Sequence, residues 1–275
     1  MDADDVLKQY VAGRLDFGAV DLRGASLAGT DLSSANFAGA NLVGANLTGT
    51  NLIGACLIDS DLRKSTAWGV KLVNAKLKGA NLSAADWYAA DLLGADLTKA
   101  NLSEAVLIEA ELSFADLVKA DLSGAYLRHA VLLVADLNRA DLTGADLYGA
   151  DIGDAQLRQA NLTKANLEGA NLMEAKMSKA LLIEANLTRA NLMAVNLYRT
   201  SMIGANLSAA SLVEAYLSSA NLAGSCLVKA NLALARLTRA NLSNANLTGA
   251  CLHLAELDEV IFCNTVMPDG SIKTN

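Results

Sequence analysis

The chain has 275 residues, of which 53% are hydrophobic and only 4% aromatic, and its formal net charge is −7. This mild acidic excess disfavours general nucleic-acid binding, because a phosphate backbone selects basic surfaces. No run of about 18 consecutive apolar residues occurs, so we expect no membrane-spanning helix.

The first element, residues 1–14, is predicted to be a short capping helix. Its apolar residues recur at helical spacing, behind acidic residues that suit the positive end of a helix dipole. The start is also acidic and lacks the apolar core of a signal peptide, so we expect a cytoplasmic protein. The apolar stripe consists of Val6, Leu7, Tyr10 and Val11, and the acids are Asp2, Asp4 and Asp5.

From Phe17 to Phe262 the chain repeats the pattern A-(N/D)-L-x-x without one insertion or deletion. Leu holds 42 of the fifty central positions, and Ala holds 39 of the positions two residues earlier. A period of five fits neither a helix, with 3.6 residues per turn, nor the alternation of a strand. A chain that turns a corner every five residues keeps its leucines on one side.

This pattern resembles the pentapeptide-repeat family over about nine-tenths of the chain. The resemblance implies an all-β fold, a right-handed quadrilateral parallel β-helix with four repeats per coil and about 12 coils. The central Leu and the preceding Ala are expected to point inward. The predicted domains are the capping helix at 1–14, the repeat β-helix at 15–264 and a C-terminal cap or tail at 265–275.

Two features of the sequence support this coil independently of the resemblance. Ala67 is the only small central residue, and Trp87, the largest, stands twenty residues later. With four repeats per coil these two residues stack, and their volumes compensate. In addition, sixteen of the 20 glycines lie two residues after a central position, where a tight corner calls for positive φ.

The sequence offers no group of residues suited to catalysis. Only two histidines occur, and His253 and Cys251 are predicted to lie on the opposite side of the coil from Cys263. Asn and Asp recur as the outward position of the repeat. We therefore expect no enzyme activity, no cofactor and no metal site.

Large apolar side chains at outward positions are the informative exceptions. They fall in columns at the coil spacing, and we expect the two main columns to adjoin as one patch of the kind that marks protein interfaces. The other interpretation is that such residues simply suit strands. The candidate protein-binding surface consists of Trp68, Tyr88, Leu93, Ile108, Phe114, Tyr126, Leu133, Val134 and Tyr148.

The leading hypothesis is a non-catalytic scaffold or regulatory protein that binds another protein through a rigid side wall. Similarity to cyanobacterial pentapeptide-repeat proteins, some of which regulate heterocyst differentiation, implies the same class. The alternative implied by the family is DNA mimicry at a type II topoisomerase, as in its quinolone-resistance members. We expect an unknown protein partner, no nucleic acid, no membrane, and a monomer or weak end-to-end dimer.

Overall fold

The computed structural model describes residues 1–274. Its helix α1 spans Ala3–Val11, as the sequence predicts. Asp2 caps the helix, because its carboxylate accepts a hydrogen bond from the amide of Asp5 at 2.8 Å. Among residues 1–274, no helix is long and apolar enough to cross a membrane.

One face of α1 packs on the neighbouring repeats. Val6 is fully buried, and the hydroxyl of Tyr10 donates a hydrogen bond to the carbonyl of Ser33 at 3.0 Å. Val11 departs from the predicted apolar stripe, since it is 86% exposed. The helix ends at this residue.

The structure consists of two compact units, Met1–Asp136 and Leu137–Asn275. In the first unit, parallel bridges join residues twenty apart, such as Asp16 and Asn36. In the second unit the same spacing joins Asp141 and Asn161. Four repeats therefore make one coil of a parallel β-helix in each unit, which confirms the predicted coil length.

Each repeat bonds to the next coil and then turns a corner. The amide of Leu22 donates to the carbonyl of Asn41 in the next coil at 2.8 Å, and the amide of Ala25 donates to the carbonyl of Leu22 at 3.0 Å. Gly24, between them, has a φ of +63°. This is the geometry of a type II turn.

Positive φ is the rule at every corner and does not depend on glycine. All fifty residues that lie two after a central position have positive φ, and thirty-four of them are not glycine. An L-residue in this conformation costs about 1–2 kcal/mol. The packing of the coil on either side of each turn therefore stabilises a backbone conformation that most residues disfavour.

The core is a stack of central residues that repeats at each coil. Every central residue from Phe17 to Leu247 is at most 2% exposed. From Ala35 to Ala250 the preceding alanines are buried as well, because only a small side chain fits beside the larger ones. Phe17 and Phe37 stack with their ring centroids 5.5 Å apart, as their spacing of twenty predicts.

In this core the small side chain of Ala67 compensates for the large side chain of Trp87. The bridge between Thr66 and Asp86 places the two residues in neighbouring coils, and Trp87 is 1% exposed. Its indole Nε1 donates a hydrogen bond to the Oγ of Ser65 at 2.9 Å. Ser65 occupies a position that is usually Ala, so it provides the acceptor that a buried indole needs.

The repeats of the second unit end in a small antiparallel ladder. Strand β1 spans Thr265–Val266 and strand β2 spans Ile272–Lys273, with Thr265 paired to Lys273. The Lys273 ammonium lies 4.0 Å from the centroid of the Phe262 ring. This hairpin contacts the last buried aromatic residue of the coil.

Candidate functional site

The polar residues that recur in each repeat support the backbone. The side chain of Asn46 accepts a hydrogen bond from the amide of Thr48 at 3.0 Å. Across coils, Nδ2 of Asn171 donates to Oδ1 of Asp151 at 2.8 Å. The carboxamide and carboxylate groups of these residues are therefore already engaged in hydrogen bonds within the coil. Within residues 1–274, no group of three or more His, Cys, Asp or Glu side chains could hold a metal ion.

Large side chains project from one side of consecutive coils in the first unit. The amide of Gly69 donates to the carbonyl of Tyr88 at 3.0 Å, and the amide of Ala89 to that of Ile108 at 2.9 Å. These bonds place Trp68, Tyr88 and Ile108 in three adjacent coils, and we call them the first column. Trp68 is 52% exposed, Tyr88 is 39% exposed, and Ile108 is half-buried.

Two tyrosines give this side its polar edges. The hydroxyl of Tyr88 donates a hydrogen bond to Oε2 of Glu109 at 2.6 Å, and this bond raises the pKa of Tyr88. Tyr126 is exposed on the same face and pairs with Val106 in the preceding coil. The face therefore offers rings with hydroxyl groups beside aliphatic side chains.

A second column lies on the next face of the coil and consists of Leu93, Phe114, Leu133 and Val134. The amide of Phe114 donates to the carbonyl of Leu133 at 2.9 Å, which places them in adjacent coils. Phe114 is 63% exposed and Val134 46%, whereas Leu133 is half-buried. Ser113 interrupts the leucines and is buried.

The two columns lie on neighbouring faces of the coil, and charged residues lie between them. The five-residue register places a corner position and the next bridge position between neighbouring outward columns. These positions include Glu109 at a corner and Lys71, Asp91 and Glu111 in successive bridges, with Asp91 paired to both Lys71 and Glu111. We call Asp91, Glu109 and Glu111 the acidic strip.

The ninth candidate, Tyr148, belongs to the second unit, whereas the other eight lie in the first. Its side chain is half-buried, and its amide donates to Oδ1 of Asp146 at 3.2 Å. The second unit also exposes Tyr198 and Tyr216, which sequence reasoning did not select. An arginine lies over each ring, with Arg236 at 4.9 Å from the centroid of Tyr216.

Large apolar residues occupy only four of the fifty corner positions. They are Phe114 and Val134 in the first unit, and Leu234 and Leu254 in the second, with φ between 54° and 62°. All four are exposed. Each pair is twenty residues apart and therefore stacked. Sequence reasoning missed the two leucines, although their position two residues after a central residue marks them in the repeat.

The comparison with protein-family models identifies the repeats. The model described as pentapeptide repeats matches in 8 copies, in overlapping segments that together run from residue 16 to residue 253. No curated protein sequence matches the chain significantly.

The chain is also similar to three proteins of solved structure. HetL, a pentapeptide-repeat protein involved in heterocyst differentiation regulation from Nostoc sp. strain PCC 7120, is 34% identical; the match covers 99% of this chain and 100% of HetL, with a TM-score of 0.33. Rfr23 from Cyanothece 51142 is 35% identical over 36% of this chain and 58% of Rfr23, with a TM-score of 0.24. QnrB1, a plasmid-mediated fluoroquinolone resistance protein, is 20% identical over 69% of this chain and 90% of QnrB1, with a TM-score of 0.32.

Proposed function

The chain belongs to the pentapeptide-repeat family, and we propose that it is a non-catalytic scaffold or regulatory protein that binds another protein through a side wall. The side wall comprises the first column, the second column and Tyr126, all in the first unit. Tyr148, in the second unit, stays a separate candidate. The observation that carries the proposal is the stacking of exposed, large apolar side chains in adjacent coils, with Phe114 63% exposed.

Energetic considerations support this assignment. Aromatic side chains provide much of the binding energy in protein interfaces, and the wall offers Trp68, Tyr88, Phe114 and Tyr126. Their backbone is fixed by the hydrogen bonds between coils, so binding orders little more than side chains.

The finer features expected of the protein are part of the same proposal. We propose right-handed winding, about 12 coils in the chain and a cytoplasmic location. The bridges at a spacing of twenty within each unit and the unbroken repeat register support the number of coils. Membership of the family supports the right-handed winding. The four free cysteines, which a reducing compartment keeps unpaired, support the cytoplasmic location.

The test is capture of the binding partner by wild-type protein and two variants. Tyr88→Ser with Phe114→Ser should abolish capture and leave the circular-dichroism spectrum unchanged, because both side chains are exposed. The matched control is Tyr198→Ser with Tyr216→Ser, which removes two exposed rings from the second unit. Full capture by the first variant would show that the wall is not the interface.

A further inference from the structure

One column of corners in the second unit places a small residue between two glutamates. Glu174, Ala194 and Glu214 occupy corners twenty residues apart, each with positive φ. The amide of Glu174 donates to the carbonyl of Met193 at 3.0 Å, and the amide of Ala194 donates to that of Val213 at 2.9 Å. The three corners are therefore stacked in adjacent coils. Both glutamates are exposed, and only the methyl group of Ala194 lies between them.

Other corner glutamates of the second unit are paired with a cation one coil away. Oε2 of Glu184 lies 3.7 Å from Nζ of Lys164, and Oε2 of Glu259 lies 2.7 Å from Nε of Arg239. Both pairs join two corner positions. Among the salt bridges within residues 1–274, none includes the two glutamates beside Ala194. The corner between them is where a single cation would reach both carboxylates.

The missing cation is accompanied by empty space. A corner glutamate without a salt bridge is not by itself a site, since Glu104 of the first unit has none among the described residues either. At Ala194, however, two cavities of about 260 and 340 Å³ adjoin, and both are lined by Ala194 and Tyr216. Glu174 borders the smaller cavity and Glu214 the larger one. We call this place the Ala194 notch.

Tyr216 gives the notch an aromatic wall that already holds one guanidinium. The ring pairs with Arg236 in the following coil and with Asn196 in the preceding one. The guanidinium carbon of Arg236 lies 4.9 Å from the ring centroid, and its Nε lies 3.6 Å from Oε1 of Glu256. Asn196 lines the smaller cavity, so the ring lies between Arg236 and that cavity. A second cation would find the same combination of ring and carboxylate on this side.

The charges that line the two cavities call for a ligand with one positive charge. They comprise three carboxylates, Glu174, Glu214 and Glu256, and two cations, Lys176 and Arg236, which leaves a net charge of −1. A guanidinium suits the notch better than an ammonium. It is planar, so it stacks on a ring, and its fork of N–H donors can bond to two carboxylates at once.

We propose that the Ala194 notch is a binding site for a guanidinium group. The group stacks on the side of the Tyr216 ring away from Arg236, and its N–H groups donate to Glu174 and Glu214. Free arginine and an arginine residue of a peptide share this group. The site belongs to the second unit and does not depend on the side wall of the first.

Isothermal titration calorimetry of the full chain with three compounds tests the chemistry. L-Arginine and N-acetyl-L-arginine amide should bind, whereas L-citrulline, in which a neutral urea replaces the guanidinium, should not. Tighter binding of free arginine supports the amino acid as the source, with Lys176 contacting its carboxylate. Equal or tighter binding of the capped form supports a peptide. Binding of citrulline as tight as that of arginine, or no binding of either arginine compound, would overturn the proposal.

Two matched variants locate the charge that matters. Glu174→Gln with Glu214→Gln should weaken arginine binding about tenfold, because each carboxylate loses a charge-assisted hydrogen bond. Glu104→Gln with Glu109→Gln removes the same charge from corners of the first unit, and it should bind arginine within about twofold of wild type because distant exposed charges are screened. Equal losses in the two variants would mean that only the net charge of the chain attracts arginine.

A covalent occupant provides an independent readout. Ala194→Arg places a guanidinium in the notch, and its corner, with a φ of 54°, resembles those at which the chain already has Arg189 and Arg199. This variant should no longer bind arginine and should melt at a higher temperature than Ala194→Gln, the neutral control of similar length. Wild-type arginine binding by Ala194→Arg would show that the notch is not the site. A melting temperature no higher than that of Ala194→Gln would show that these carboxylates do not hold a guanidinium.

Discussion

At the scale of single residues, the core tolerates a change of size only where a neighbouring coil compensates for it. Ala67 leaves space for the indole of Trp87, and Ser65 accepts the hydrogen bond of that indole. The three side chains therefore form one packed unit. Changes to one of them should depend strongly on the others.

We expect Ala67→Leu to lower the free energy of unfolding by about 1–3 kcal/mol through overpacking, although Leu is the common residue at this position. Trp87→Leu alone should also destabilise, because it leaves a cavity above Ala67. The double variant Ala67→Leu/Trp87→Leu restores two consensus residues and should lose less than the sum of the single changes. Urea denaturation of the four proteins measures this coupling. Strict additivity would show that the two side chains do not share space.

Corner residues provide a second test at this scale. Val134 has a φ of 60°, which is unfavourable for a β-branched residue. Val134→Gly should therefore raise the free energy of unfolding by about 1 kcal/mol. Val118→Gly is the control, since Val118 precedes a corner and does not have positive φ; it should destabilise by about 1 kcal/mol. Thermal denaturation of both variants measures the difference. A lower melting temperature for Val134→Gly would show that its packing outweighs the strain.

At the scale of the repeat, the Asn side chain is the main polar element. Asn171 donates to Asp151 at 2.8 Å, accepts from Nδ2 of Asn191 at 2.9 Å, and accepts from the amide of Met173 at 3.3 Å. The Asn171 side chain thus supports its own turn and the coils on either side, because its amide group both donates and accepts.

Replacement of this residue should destabilise the second unit. We expect Asn171→Ala to cost about 1–3 kcal/mol, because it leaves half-buried partners without hydrogen bonds. Asn196→Ala is the matched control, since within residues 1–274 the side chain of Asn196 accepts a single hydrogen bond, from the amide of Tyr198 at 3.1 Å. It should cost less than Asn171→Ala in chemical denaturation. Equal losses would mean that the contacts between coils contribute little.

The repeat also shows how far the sequence determined the result. The resemblance to the family predicted the coil length and the inward leucines, and the spacing of twenty between Ala67 and Trp87 independently predicted their stack. The period could not predict that Ser65 bonds to the indole, which depends on a rotamer. The acidic strip was accessible from the register but was overlooked. The outward positions of the candidate residues were predicted, but their role in binding stays a prediction.

At the scale of the whole molecule, charge distinguishes the two classes of function considered for this family. A DNA mimic must reproduce a dense row of phosphates, and a duplex of twenty base pairs carries about forty negative charges at one per ~1.7 Å. This chain has 29 acidic and 22 basic residues, which give a formal net charge of −7. Its acids are therefore local features, such as the strip, and do not form a continuous rod of charge.

We accordingly expect no protection of DNA gyrase. In a supercoiling assay inhibited by a quinolone, addition of this protein should not restore supercoiling at any concentration, because its surface carries too little charge to displace DNA. QnrB1 is the positive control, and the protein with its acidic strip converted to amides is the matched negative one. Dose-dependent rescue by the wild-type chain would reverse the order of the two hypotheses. Rescue that persists in the strip variant would further exclude the acidic strip as its cause.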